Sequence, residues 1–179
     1  MTEKKKKKRR AYLDDFHKNE KGSYDYRGAL YVWQGEEEQL HKELLRLWLL
    51  CIGMFAALTA AGCVEAPGTA NCAYVLIPYV ISFVSGIAVC WGMGRLSAGG
   101  ASLRAYIYQA SVEQIPGRSI CTAVGSGAAI VGEVVFTCRN GMNGGTAGFL
   151  FFLFLEGAAL TAAIAIYRRM KRMDWKKLS

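Results

Sequence analysis

AYVLIPYVISFVSGIAVCWGM, running from Ala73 to Met93, decides the fold. It passes through about 20 residues without one charged side chain, and at about 1.5 Å of rise per residue a helix of that length crosses the ~30 Å hydrocarbon core of a bilayer. A helix of a soluble bundle keeps a polar face for water, and this segment has none. Its alternation is also wrong for a barrel strand, which would change sides every residue over about ten residues.

Three further blocks repeat the pattern. Leu47 to Val64 (LWLLCIGMFAALTAAGCV) carries no charge, Ile120 to Cys138 carries only Glu133 before its end, and Ala147 to Tyr167 carries only Glu156. Apolar residues make up 53% of the chain and are concentrated in these blocks, with nearly all the charge outside them. The expected fold is an all-α integral membrane protein. Its four-transmembrane-helix bundle lies within residues 36–170, with helices at about 47–64, 73–93, 120–138 and 147–167, because helices satisfy every backbone group inside lipid.

The basic residues set the expected orientation. All but one of the 22 lysines and arginines precede the first block, lie between the second and third, or follow the fourth; the exception is Arg139. By the positive-inside rule both termini and the middle loop are cytoplasmic and the two short loops face out. The net charge of +8 is therefore chiefly a topology signal, and no basic groove with interleaved aromatics argues for nucleic acid. The long polar stretch before the first block does not fit a cleavable signal peptide, so the first helix is expected to insert uncleaved into the cell membrane.

Outside the spans, MTEKKKKKRR (residues 1–10) is expected to be a disordered polybasic tail that either solvates freely or meets anionic lipid head groups. Residues 11–35 form an aromatic juxtamembrane segment. Tyr24, Tyr26, Leu30, Tyr31, Val32 and Trp33 flank Arg27-Gly28, a pattern that suits a hairpin. Glu36, Glu37 and Glu38 then open a helix whose dipole they offset, and it continues through Leu40, His41 and Leu44 into the first span. In the middle loop, Leu103, Tyr106, Ile107 and Ala110 fall at helical spacing between Gly99-Gly100 and the expected turn Pro116-Gly117, which predicts a short interfacial helix. Residues 171–179 are expected to be a basic cytoplasmic tail.

Two candidate sites come from the spans. Cys63 and Cys72 bracket the first outer loop and either form a bridge or remain small apolar thiols, with Cys138 able to replace either partner. Small residues four apart mark packing faces: Gly53, Ala57 and Ala61; Ser82, Gly86, Cys90 and Gly94; Gly125 and Ala129. The stretch GSGAAIVGEVVF (125–136) lacks the spacing of a phosphate loop and lies in an apolar block, so its glycines belong to helix packing.

Glu133 shares that packing face, and Glu156 shares one with Ala159 and Ala163. Antiparallel helices would separate the two acids by roughly 6 Å along the membrane normal. No lysine, arginine or histidine lies within the four cores to neutralise them, so the protonated state is favoured. Such a pair suits a proton or cation site. The alternative is a neutral acid bonded to a backbone carbonyl or to Ser82, Ser126 or Thr161.

No metal-ligand spacing is present, since His17 and His41 lie in different segments, and no motif calls for a cofactor or for catalysis. The leading expectation is a non-enzymatic interaction or accessory subunit, with a membrane or cytoplasmic protein as partner. The alternative is a small proton- or cation-coupled transporter or channel, acting as a homo-oligomer.

Overall fold

The structure is a computed structural model that describes residues 28–69, 71–141 and 145–178, together with the backbone of Phe16–Lys18 and Tyr24–Tyr26. The basic run at residues 1–10 and Arg27 of the expected hairpin turn lie outside the described residues. Among the described residues, four helices are long and apolar enough to cross a membrane: α1 (Glu37–Cys63), α2 (Ala73–Gly99), α4 (Gln114–Asn140) and α5 (Thr146–Arg172). A short helix, α3 (Ala105–Ala110), precedes α4.

The helices overrun the apolar blocks at one end of the bundle. α1 starts ten residues before Leu47 because Glu37 and Glu38 occupy its first turn and oppose the dipole. α4 starts before Pro116 instead of after a Pro-Gly turn, since a proline in the first turn of a helix gives up an N–H that has no partner there. α2 stops at Gly99 because Gly100 takes a positive φ of 62°, a conformation glycine tolerates.

Side-chain placement is inverted relative to a water-soluble bundle. Leu49, Ile52, Val84, Val124, Phe151 and Phe154 are exposed, Phe154 by 71%, whereas Ser82, Ser119, Thr122, Ser126, Glu133 and Glu156 are buried. A contiguous apolar exterior around a partly polar interior is what lipid as solvent selects.

The closest helix approaches are made by glycines of α4. A Cβ on Gly125 would lie 2.9 Å from the Pro78 carbonyl oxygen, and one on Gly132 2.8 Å from that of Tyr74. Pro78 has no N–H to offer the Tyr74 carbonyl four residues earlier, and Gly132 is the residue laid against that carbonyl. Ala57, Ala61, Ser82, Gly86 and Ala129 are likewise buried, and Gly86 receives Leu58. Two members of the expected stripes do not pack: a Cβ at Gly53 or Gly94 would meet nothing within 4 Å. The rotation of α1 turns Gly53 outward between buried Cys51 and Met54, and Gly94 opens onto a surface groove. Cys90 is half-buried, its thiol 3.9 Å from the Cys51 carbonyl.

A small sheet closes the basic end. β3 (Leu30–Trp33) lies between β4 (Ser102–Arg104) and β5 (Trp175–Leu178), antiparallel to both, with Tyr31 opposite Leu103 and Lys177. The expected hairpin around Arg27-Gly28 is replaced by different pairings. β2 (Tyr24–Tyr26) pairs back onto β1 (Phe16–Lys18), and β3 pairs with the middle loop and the C-terminal segment.

The predicted interfacial helix is shortened for the same reason. Leu103 sits in the extended β4 strand, fully buried, and only residues 105–110 are helical. Tyr31 stacks on Tyr108 at 3.8 Å, and Trp33 meets Trp175 edge-on at 5.6 Å. Beneath them Leu40, Leu103, Met170 and Trp175 join the larger of two hydrophobic clusters. Glu43 ties α1 to α5 at this end by accepting from Arg169 at 2.8 Å, while Arg46 holds its other oxygen at 2.6 Å.

Candidate functional site

The bundle core is interrupted. The larger cluster runs from the sheet up to Leu58, Val89 and Ala159, and a smaller one comprises Ala61, Ala66, Val75, Ala129 and Phe152. Between them, near the middle of their helices, lie Ser82 of α2, Ser126 of α4 and Glu156 of α5. The Tyr79 hydroxyl crosses the same layer and donates to the Leu58 carbonyl at 2.9 Å.

Most hydroxyls of this interior are satisfied by their own helix. Ser119 donates to the Ile115 carbonyl at 2.9 Å, Thr122 to that of Arg118 at 3.1 Å, and Ser82 to that of Tyr79 at 2.7 Å. Ser126 does not follow them. Its hydroxyl faces the Glu156 carboxyl, yet neither that hydroxyl nor either carboxyl oxygen has a hydrogen-bond partner of good geometry, and Glu156 is 0% exposed. A buried polar group left unpaired costs about 1–3 kcal/mol, so the burial of this layer is favourable only as far as the Ser126 hydroxyl and the Glu156 carboxyl satisfy one another.

Glu133 sits in a different setting. It too is fully buried, but its Oε1 accepts the Gly68 N–H at 3.0 Å. The first connecting loop folds down over the bundle to make that bond: Ala66 is buried, and a Cβ on Gly68 would lie 2.6 Å from Glu133 Oε2. The turn is closed by the Thr69 N–H donating to the Ala66 carbonyl and the Asn71 side chain donating to that of Pro67 at 3.0 Å. Glu133 Oε2, Thr69 Oγ1 and Thr137 Oγ1 are buried without partners. Two acids brought to one bundle interior thus take separate surroundings, Glu133 under the loop and Glu156 against Ser126.

The bridge between Cys63 and Cys72 is not formed. All six cysteines are free thiols, with Cys63 exposed. The loop between them is instead pinned through Gly68 to Glu133, a contact that spacing alone does not reveal. The polar atoms the interior offers are carboxyl and hydroxyl oxygens. They suit a proton or a hard cation, in keeping with oxygen donors.

Comparison with protein-family models, with curated proteins and with solved structures finds no match. The fold therefore defines a class only: a helical bundle whose four long helices have the length and apolarity of membrane spans.

Proposed function

We propose that this chain is a non-enzymatic integral membrane protein of the cell membrane, with both termini cytoplasmic, that acts as an interaction or accessory subunit. The observation that carries the reading is the sheet β4-β3-β5. It gathers the N-terminal segment, the middle loop and the C-terminal segment at one end of the bundle, the end where the basic residues collect. A middle loop that merely connected two spans would have no use for a strand paired with the N-terminal segment.

Lys176, Lys177 and Leu178 of β5 are exposed, and among the described residues no strand pairs with the outer edge of β5. Lysines on an edge discourage indiscriminate pairing, which suits a surface reserved for one partner protein.

A photo-crosslinker at Lys177, used in native membranes, tests this. One discrete adduct with another protein, lost in Trp175→Ala, is the expected result. Adducts with lipid alone would overturn the reading.

A second reading, proton- or cation-coupled transport by a homo-oligomer, is favoured by the unpaired oxygens of Glu156 and Glu133. In proteoliposomes, Glu156→Gln and Glu133→Gln would abolish flux; flux equal to that of the unaltered protein removes that reading.

A further inference from the structure

On the outer face of α2 the exposed residues run Val80, Val84, Ile87, Trp91 and then Arg95. From Ile87 to Arg95 the stripe passes from hydrocarbon-compatible side chains through an indole to a guanidinium in about two turns, the order in which a helix meets acyl chains and then head groups. At that level a groove of about 530 Å³ opens between α1 and α2, walled by Trp48 and Trp91, with Ile87 and Gly94 within it and Arg95 at its rim.

The walls and floor are fixed by identifiable contacts. Trp48 is held by its indole N–H donating to Ser97 Oγ at 2.7 Å. Gly94 is the missing floor, since a Cβ there would meet nothing within 4 Å. The Arg95 guanidinium lies over the Trp91 ring, 5.6 Å from its centre. Among the described residues the ion pairs are Lys42–Glu38, Arg46–Glu43 and Arg169–Glu43, so Arg95 has no carboxylate of its own.

We propose that this groove is a binding site for one anionic phospholipid, an acyl chain lying over Gly94 between Trp48 and Trp91 and the phosphate on Arg95. Charge complementarity selects the occupant: an apolar slot of this size accepts any chain, and the unpaired cation at its mouth selects an anionic head group. This site is distinct from the general attraction of the basic tails for the membrane surface, because it needs the slot as well as the charge.

The full-length chain is reconstituted in vesicles containing phosphatidylglycerol or phosphatidylcholine brominated on the acyl chains. The bromines reach Trp48 and Trp91, whereas Trp33 and Trp175 sit in the sheet. Brominated phosphatidylglycerol is expected to quench at about fivefold lower mole fraction than phosphatidylcholine, the factor one basic residue at an anionic leaflet provides. Arg95→Gln removes the preference and leaves phosphatidylcholine quenching in place, Arg95→Lys keeps it, and Gly94→Leu, which fills the floor, lowers quenching by both lipids. Inorganic phosphate leaves the preference unchanged.

Equal quenching by the two lipids in the unaltered protein would overturn the proposal. So would a preference that survives Arg95→Gln, quenching left unchanged by Gly94→Leu, or a preference erased by free phosphate.

Discussion

Glu156 holds a fully buried carboxyl group near the middle of the bundle, its oxygens facing the Ser126 hydroxyl without a hydrogen bond of good geometry. Leucine of similar bulk removes those polar atoms without leaving a cavity. Glu156→Leu is therefore expected to stabilise the protein by about 1–3 kcal/mol, read as a higher unfolding midpoint in detergent. A lower midpoint would show that the acid is partnered in the working protein. Glu133 differs, because Glu133→Leu strands the Gly68 N–H, and its midpoint should fall.

The presence of both acids on inward faces was legible in the sequence, because small residues three or four apart marked those faces. Their separate partners were not: Gly68 lies 65 residues away from Glu133, in a loop whose path no periodicity describes.

Helix packing sets the next scale. Gly125→Ala forces a methyl group against the Pro78 carbonyl and the Ser82 backbone, which have no rotamer to yield, at a cost on the order of 1–3 kcal/mol. Gly53→Ala meets open space and should be neutral or stabilising by up to about 1 kcal/mol. Thermal unfolding of the two variants side by side checks both, and equal destabilisation would disprove the assigned interface. Small-residue spacing picked out Gly125 and Ala129, which are buried, and Gly53 and Gly94, where an added Cβ meets open space, because a stripe shows which residues share a face and not which face meets a neighbour.

The sheet was the least legible element. Three short strands drawn from residues 30–33, 102–104 and 175–178 carry no local signal of their pairing. Trp175→Ala should weaken the sheet locally by about 3 kcal/mol, accelerating amide exchange at Leu30–Trp33 on the order of a hundredfold while the helices keep their protection. Unchanged exchange in β3 would mean that Trp175 does not hold the strand.

For the molecule as a whole, four uncharged or singly charged runs of about 20 residues made the spans legible, since the bilayer sets one length for all of them. The helices nevertheless extend beyond the runs, because backbone hydrogen bonding continues where polar side chains replace apolar ones. The proposed orientation places the exposed Cys63 and Cys138 outside the cell and Cys51 within the core. A membrane-impermeant maleimide should label Cys63 and Cys138 in intact cells; labelling of these two only after permeabilisation would reverse the orientation.

The sheet also orders events in time. Trp33 leaves the ribosome before any of the four spans, yet its partner Trp175 is made only after the last of them. Until β5 has been made, the edge of β3 that it covers and the side of Trp33 that meets Trp175 stay open. Closure of β5 onto β3 therefore waits until all four long helices have been made, and a chain broken off before Trp175 keeps an open strand edge on β3.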